Sequence, residues 1–359
     1  MSKKISVGVL YGGRSAEHDV SVLSARNVFA AIDRDRFDVT PIAVTKSGRW
    51  LLVEPAGAGA AIDQIDGTEI ALLPGGGGQF ISRYKAEAPR IDVLFPVLHG
   101  PFGEDGSVQG YAEVAEVAYV GCGIFGSAAA MDKDAAKRLL AAAGIPVARG
   151  LRIDRGQDPG FASLTEQLGS PIFLKPASQG SSFGVSRVGG NGANYAEALA
   201  EAFRYDDVVL AEEFMDGREI ECAVLEYADG SLVVSDPGEI VTAKHHDFYS
   251  YEAKYLDADG ALVQAPANVS PEIAARARDL SALAFRALGC TGLARVDFFL
   301  KADGSLAINE VNTMPGFTNI SMYAKALATK GIAYREVISV LIDQALARFE
   351  RRRGLAGGK

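Results

Sequence analysis

Two segments toward the C-terminal end, Gly292–Lys301 and Ser305–Thr313, alternate apolar and polar residues, with Ala302-Asp303-Gly304-Ser305 between them. Period-two alternation marks a half-buried strand, and Asp-Gly between two such runs signals a hairpin. A turn centred on Asp303-Gly304 sets Asp297 opposite Glu310 and Arg295 opposite Asn312. In that register the four share a face with Phe299, Lys301, Leu306 and Ile308, while Ala294, Val296, Phe298, Leu300, Ala307 and Val311 face a core. Two carboxylates about 5 Å apart repel by roughly 3 kcal/mol at an effective dielectric of about 20. A good cross-strand pair contributes only about 0.2–1 kcal/mol. The pairing is therefore unfavourable unless a cation lies between the acids. Two acids and an amide are hard oxygen donors, suited to Mg2+ rather than zinc. A solvated pair at a sheet rim, or a slipped register, is the alternative without a metal.

The rest of the chain divides by rhythm. Ile5–Gly12, Phe37–Thr45 and Ile91–His99 read as buried strands and Ala16–Ile32 as a helix, which predicts a parallel α/β sheet. Arg49–Tyr84 reads as irregular, with Pro74–Gly78 a surface loop. Val108–Ala118 reads as a helix and Tyr119–Gly121 as a short strand. Ser127 is expected to cap one long helix, Ala128–Ala143, ended by Gly144 with Pro146 behind it. Beyond Val147 strands dominate: Pro171–Ala177, Phe183–Val188, Val208–Phe214, Glu219–Tyr227 and Leu232–Val241. Helices at Asn194–Phe203 and Pro271–Leu288 make this part α+β, and Tyr334–Arg353 is a closing amphipathic helix.

Composition narrows the function classes. A chain of 359 residues predicts two or three domains. Lys+Arg 36 against Asp+Glu 45 gives a net charge of −9, the wrong sign for a protein held mainly by nucleic-acid phosphates. The most apolar stretch, Val117–Met131, falls short of the ~20 residues of a membrane span. The apolar run after the N-terminal lysines stops at Tyr11-Gly-Gly-Arg14, too soon for a signal peptide. Cys122, Cys222 and Cys290 are odd in number and far apart, which fits a reduced, cytoplasmic setting.

Several further segments could carry chemistry. Lys175-Pro-Ala-Ser-Gln-Gly-Ser-Ser-Phe-Gly-Val185 joins two strand-like runs through a Gly/Ser loop. Its N–H groups and hydroxyls can meet phosphate oxygens. It lacks P-loop spacing, and an ordinary hairpin connection is the plainer alternative. Gly121-Cys-Gly-Ile-Phe-Gly126 matches G-x-G-x-x-G, but Asp154, its strand-end acid, lies too far on, so a helix-entry turn is expected. Gly12–His18 follows the first strand, where ligands of open α/β sheets bind; Glu17 there also suits a helix dipole. His99–Asp105 is a second glycine loop at a strand end. Neighbouring side chains on a strand point to opposite faces, so His245-His246-Asp247 is not expected to bind zinc. Phe248–Tyr255 is aromatic and charged, a lid or a surface loop.

Taken in order, these segments carry a resemblance. Gly12-Gly13-Arg14-Ser15-Ala16-Glu17-His18, His99-Gly, Gly103-Glu-Asp-Gly106, Met131-Asp-Lys133, Lys175-Pro and Gly180-Ser-Ser-Phe-Gly-Val185 come first. Arg218-Glu-Ile-Glu221, Lys254-Tyr255, Arg295-Val-Asp297 and Glu310-Val-Asn-Thr-Met-Pro-Gly316 follow. The set resembles D-alanine–D-alanine ligases, ATP-grasp enzymes of peptidoglycan synthesis, from Ser6 to about Ala347.

The resemblance implies a Rossmann-like α/β substrate domain over 1–126, a central ATP-grasp lobe over 127–214 and a C-terminal lobe over 215–359. It implies a cytoplasmic homodimer that uses ATP and two Mg2+ ions, or Mn2+, to join two D-alanines through an acyl phosphate. It assigns ATP phosphates to Lys133, Lys175 and Ser182, the transferred phosphate to Lys254, and adenine and ribose to Glu212 and Glu219. Asp297, Glu310 and Asn312 would hold the metals. Glu17 would receive the first substrate's ammonium, with His99 nearby, and Ser181 would link Glu17 to Tyr255. Arg295 and the Gly316 N–H would form the oxyanion hole, and Ser321 with Lys254 would hold the second carboxylate. His245–Tyr255 would be the lid, because an acyl phosphate in open water hydrolyses.

Phe183 departs from the pattern where a smaller aliphatic is expected, as Met314 does mildly, and Pro74–Gly78 lies outside it. A D-alanine–D-lactate ligase and another carboxylate–amine ATP-grasp ligase are the near rivals, and Tyr255 favours the amine by resemblance. A nicotinamide-dependent dehydrogenase built on Gly121–Gly126, or a nucleotide sensor, are the distant ones.

Overall fold

The computed structural model describes residues 3–54, 67–82, 89–242 and 261–355. The apolar run Ile5–Gly12 forms β1, buried from Val7 onward, as a central parallel strand requires. It pairs in parallel with β2 (Phe37–Val44), reached through α1 (His18–Ala31). The segment expected to be irregular instead holds β3 (Trp50–Leu52), β4 (Thr68–Leu72) and β5 (Phe80–Ser82), paired antiparallel. Strands this short leave little alternation to read. On the other side of β1 lies β6 (Val93–Val97), followed by α2 (Ser107–Val114) and β7 (Ala118–Tyr119), again in parallel. The sheet is therefore mixed, in the order β5-β4-β3-β2-β1-β6-β7. The glycine run turns the chain between β4 and β5. Gly78 has φ +84°, and a Cβ there would lie 2.0 Å from the Ile91 carbonyl oxygen.

The long helix expected from Ser127 is two helices. α3 (Ile124–Met131) begins after Gly123, three residues before Ser127, which is buried. It ends where Asp132 turns extended; the Asp132 carboxylate accepts from the Ala135 N–H at 2.9 Å and starts α4 (Lys133–Ala142). This break places Lys133 at a helix start.

Two antiparallel sheets follow. β8 (Gly150–Asp154), β9 (Ile172–Pro176), β10 (Ser186–Val188) and β11 (Val208–Glu213) are ordered β10-β9-β11-β8. With α5 (Phe161–Leu168) and α6 (Tyr195–Ala202) they enclose a core of their own around Ile153, Leu164, Ile172 and Leu199. The third sheet begins with β12 (Arg218–Glu226). The continuous strand expected over Leu232–Val241 is broken at Asp236-Pro237 into β13 (Leu232–Val234) and β14 (Gly238–Thr242). Proline has no N–H to donate to the ladder. β15 (Ala261–Gln264), α7 (Pro271–Ala287), β16 (Leu293–Leu300) and β17 (Leu306–Asn312) complete it, in the order β15-β14-β12-β16-β17 with β13 on β12.

α3, α4 and α7 pack on the third sheet through Ala130, Leu140, Phe285 and Phe298. α8 (Met322–Ala328) and α9 (Tyr334–Arg353) close the chain. Leu341 and Ile342 of α9 share a core with Val7 and Phe95 of the first sheet and Leu293 of the third. The first and third sheets are thus joined by common apolar packing. Among the described residues no helix is long and apolar enough to cross a membrane.

The hairpin of β16 and β17 pairs Asp297 with Glu310 and Arg295 with Asn312, as its sequence predicts. Toward the turn the register shifts, so that Phe298 faces Ile308 and Leu300 faces Leu306. Asn309 is the extra residue of a bulge, and one extra residue swaps every later side chain to the other face. Leu306 and Ile308 consequently join the core with Phe298 and Leu300, contrary to the expectation that they share the acidic face. Ala307 turns the opposite way, against Ala148, Met215 and Phe299. Ile308 is 1% exposed. Ile308→Ala should lower the unfolding free energy by about 2–5 kcal/mol in urea titration. A loss below about 0.5 kcal/mol, the size of a surface substitution, would mean the unbulged register holds in solution.

Candidate active site

A cavity of about 470 Å³ lies between the second and third sheets, walled by Lys133, Lys175, Glu212, Glu219, Asp297 and Glu310. The Gly/Ser loop at Gly180–Ser182 covers one side, and the link from β11 to β12, 214–217, forms another. This link carries Phe214 and Met215, so an apolar edge adjoins a charged floor.

Cations gather on the floor. Lys175 of β9 lies 2.7 Å from the Glu212 carboxylate of β11, and Lys137 of α4 lies 3.0 Å from its other oxygen. All three side chains are buried. Burial alone would push the Glu212 carboxyl up, but Lys137 and Lys175 outweigh it and hold it below its ordinary value. Burial pushes the Lys137 ammonium down against the pull of Glu212. Lys137 is a residue that sequence reasoning missed; its i, i+4 spacing from Lys133 on one helix was the available signal. Lys133 donates to the Gln179 carbonyl at 2.6 Å and lies 3.6 Å from Glu310.

On the acidic face Arg295 forks onto both oxygens of Asp297 at 2.7 Å and lies 3.0 Å from Glu221. The Asn312 amide nitrogen donates to Asp297 at 2.9 Å and to Glu310 at 3.4 Å. Three carboxylates therefore face Arg295 and Lys133. The expectation that only a metal makes the facing acids tolerable is corrected: a guanidinium and an ammonium already offset most of the charge. Among the described residues no three His, Cys, Asp or Glu side chains converge as a metal site.

Glu17, just before α1, is 8% exposed and accepts a hydrogen bond from the Ser181 hydroxyl. A Cβ on Gly100 would lie 2.5 Å from the Glu17 carboxylate, and one on Gly180 would lie 2.9 Å from it. Two loops from different sheets thus close on one acid only because each offers a glycine. Ser181 and Ser182 have φ of +49° and +59°. Left-handed backbone costs a non-glycine residue about 1–2 kcal/mol, and such strain persists where the surroundings impose it, often at a binding site. Phe183 packs on Tyr205, ring centroids 6.2 Å apart, rather than lining the cavity.

His99 is buried, with Nε2 2.9 Å from the Ser24 hydroxyl and Nδ1 3.0 Å from the Met314 carbonyl oxygen. Burial pushes its pKa down. Glu104, to which sequence reasoning gave no role, accepts from Gly100 N–H at 2.8 Å and Met314 N–H at 2.9 Å. Its place inside the Gly103–Gly106 motif was the only hint. Burial, then the nearby Glu17 charge, push its carboxyl up to about 8. The Gly316 N–H has no hydrogen-bond acceptor among the described residues, and a Cβ there would meet nothing within 4 Å. Ser321 caps α8; its hydroxyl donates to the Thr318 carbonyl at 2.7 Å and accepts from the Ala324 N–H at 3.5 Å. Lys254, Tyr255 and the whole lid segment, His245–Tyr255, lie outside the described residues.

The Gly121–Gly126 turn is filled by protein. A Cβ on Gly126 would lie 2.5 Å from Cys122 Sγ and 2.7 Å from the Gly289 carbonyl oxygen. The glycine serves packing, which removes the basis for a dinucleotide site there.

Glu104 makes stability depend on pH. Its folded-state value of about 8 stands above the 4.5 of an ordinary glutamate, so the folded chain holds a proton there that the unfolded chain releases. This contribution is complete below pH 4.5 and is lost as pH rises through about 8. Denaturation in urea at pH 5 and pH 8 should show wild type losing more stability across that interval than Glu104→Gln. Parallel curves would reject the raised value.

Comparison with known proteins places this geometry. Residues 6–122 match the family model for the D-ala D-ala ligase N-terminus, and residues 139–343 match that for the D-ala D-ala ligase C-terminus. The chain is 60% identical to the protein named D-alanine–D-alanine ligase A of Mesorhizobium japonicum, over 98% of this chain and 100% of that one. The solved D-alanine–D-alanine ligase of Coxiella burnetii superposes with a TM-score of 0.86 at 31% identity, covering 98% of this chain and 97% of that one. The Bacillus anthracis D-alanine–D-alanine ligase, solved in complex with ATP, gives 0.73 at 26% identity, covering 97% and 99%. The fold, the ordered motifs and these matches agree: the chain belongs to the D-alanine–D-alanine ligase family of ATP-grasp enzymes.

Proposed function

We propose that the chain joins two D-alanines at the expense of ATP, by way of an acyl phosphate, releasing ADP and phosphate. The observation that carries this reading is the Ser181–Glu17 bond beside a cavity floored with lysines and walled by the Asp297–Glu310 pair. A buried carboxylate one hydrogen bond behind Ser181 in the wall of a phosphate-compatible cavity suits a substrate that is cationic at one end and is phosphorylated at the other.

The roles follow from position. Lys133 and Lys175 neutralise ATP phosphates while the Gly/Ser loop offers N–H groups and the Ser182 hydroxyl, because phosphoryl transfer needs positioning and charge balance more than covalent help. Phe214 and Met215 of the link between β11 and β12 receive the base. Glu219 on β12 takes ribose hydroxyls. Glu212, already bound by two lysines, acts chiefly by fixing them, and any contact with adenine is shared with that duty. Glu17 receives the ammonium of the first D-alanine, with Ser181 orienting it and His99 close behind. Arg295 and the Gly316 N–H stabilise the oxyanion as the amine attacks. Ser321 meets the second carboxylate with Lys254, and Tyr255 belongs to the lid.

The donor set fits magnesium or manganese. Asp297 and Glu310 would offer carboxylate oxygens, and Asn312 would offer an oxygen once its amide is turned, hard donors of the kind these ions prefer. Bound there, the ions would supply charge neutralisation on the phosphates. The parallel strands β2-β1-β6-β7 support a Rossmann-like reading of residues 1–126, with ATP-grasp lobes over 127–214 and 215–359. A cytoplasmic homodimer completes the proposal.

Release of ADP and phosphate should require ATP, Mg2+ and D-alanine, with L-alanine, D-lactate and NADH as comparators. Release only when D-lactate is added would favour the depsipeptide ligase, and none with D-alanine would reject the proposal. Asp297→Asn with Glu310→Gln should weaken Mg2+ binding in the presence of a non-hydrolysable ATP analogue by at least about 10–100-fold, read by calorimetry. An unchanged heat signal would remove the metal assignment.

A further inference from the structure

The loop after β17 carries Met314-Pro315-Gly316-Phe317, and its backbone groups are held one by one. The Met314 N–H donates to Glu104 at 2.9 Å, and the Met314 carbonyl lies 3.0 Å from His99 Nδ1. Proline has no N–H. The Phe317 N–H lies 3.4 Å from the Ser24 hydroxyl oxygen, and the Phe317 ring is 1% exposed, packed against Phe95 with centroids 5.8 Å apart. Gly316 is left as the one residue of the four whose N–H has neither a partner among the described residues nor a ring to exclude it.

The side chains that hold the Met314 and Phe317 N–H groups and the Met314 carbonyl come from the first sheet and its connections, while the Tyr334 hydroxyl of α9 donates to the Phe317 carbonyl at 3.0 Å. Glu104 and His99 lie in the loop after β6, and Ser24 lies on α1. The hydrogen bonds also fix the imidazole. A carbonyl can only accept, so Nδ1 carries the proton; Nε2 is then the acceptor of the Ser24 hydroxyl, whose oxygen in turn accepts from Phe317. Neither ring nitrogen remains to take a proton from a substrate.

We infer that Ser24, His99 and Glu104 are positioning residues that aim the Gly316 N–H into the reaction centre, so that the N-terminal part of the chain sets a donor carried by the C-terminal part. The inference rests on the proposed ligase reading, in which that N–H faces the developing oxyanion. His99 serves as a neutral strut, and Glu104 ties Gly100, beside Glu17, to Met314, beside Gly316. One carboxylate therefore fixes the spacing between the ammonium site and the oxyanion site.

The test is steady-state kinetics on the full-length enzyme, with D-alanine-dependent phosphate release as readout. Asparagine places an amide N–H where His99 Nδ1 stands; glutamine reaches the Nε2 position instead. His99→Asn should keep kcat within about 10-fold of wild type, whereas His99→Gln should lose about 100-fold, the scale of a lost or misaligned oxyanion donor. Glu104→Ala should lose a similar factor in kcat with the KM for ATP changed less than about 3-fold, and Glu104→Gln, which keeps one acceptor, should fall between. Ser24→Ala should lower kcat in the same direction and by less. Equal loss in His99→Asn and His99→Gln, with one limb of the pH–rate profile gone, would identify a general base and overturn the inference. So would an unchanged kcat in folded Glu104→Ala; should that variant not fold, the His99 pair decides alone. Wild type without D-alanine-dependent turnover would instead reject the ligase reading, and this inference with it.

Discussion

Facing carboxylates on adjacent strands are unfavourable, and the pairing of Asp297 with Glu310 obliges the surrounding chain to supply positive charge. Arg295 does so from two residues away on the same strand face, forking onto Asp297 and touching Glu221 on β12. Lys133 does so from the start of α4, which exists as a separate helix because Asp132 breaks and caps it. The orientation of a strand face, a helix break and a buried arginine thus answer to one electrostatic demand. Breaking a buried pair by removing one partner costs about 3–5 kcal/mol, because the other charge stays uncompensated. The site is therefore locked by its own charge balance, and any charged group that entered it would have to exchange partners within it.

The same logic governs the floor. Glu212 holds Lys137 and Lys175 together, two cations that would otherwise repel in a buried setting. With one acid between them the pair keeps a net positive charge, and Lys133 adds to it. The field is turned toward anions while each ammonium keeps a hydrogen-bonded partner. Lys137 gains from this arrangement without lining the cavity, so its contribution is felt through Glu212 rather than by contact.

Much of this was legible locally. The hairpin declared itself through alternation and Asp303-Gly304, and the pairing of Asp297 with Glu310 followed. That pairing came out right although the turn-side register is shifted by one, because the Asn309 bulge restores it before the acids are reached. The faces of Leu306, Ala307 and Ile308 lie on the turn side of the bulge and were misassigned for the same reason. β3, β4 and β5 were missed because three- and five-residue strands carry too few periods, and the break at Asp132 because the apolar pattern runs through it. The bonds of Ser24, His99 and Glu104 to a loop some two hundred or more residues away leave no trace in local pattern at all.

Those long-range bonds show why the chain needs its three sheets together. Glu17 and Gly100 come from the first, Gly180 and Ser181 from the second, and Arg295 and Gly316 follow or lie on the strands of the third. The first and third share a core through α9, which makes the relation between Glu17 and Gly316 rigid. The second has a core of its own, and across the cavity it is tied by polar contacts: Ser181 to Glu17, and Lys133 of α4 to the Gln179 carbonyl. Apolar packing resists shear because side chains interdigitate, whereas a few hydrogen bonds can be exchanged for others of equal strength. Glu17 and the Gly316 N–H are accordingly fixed in one body, and the Gly180–Ser182 loop is presented to them by another through a few exchangeable polar bonds.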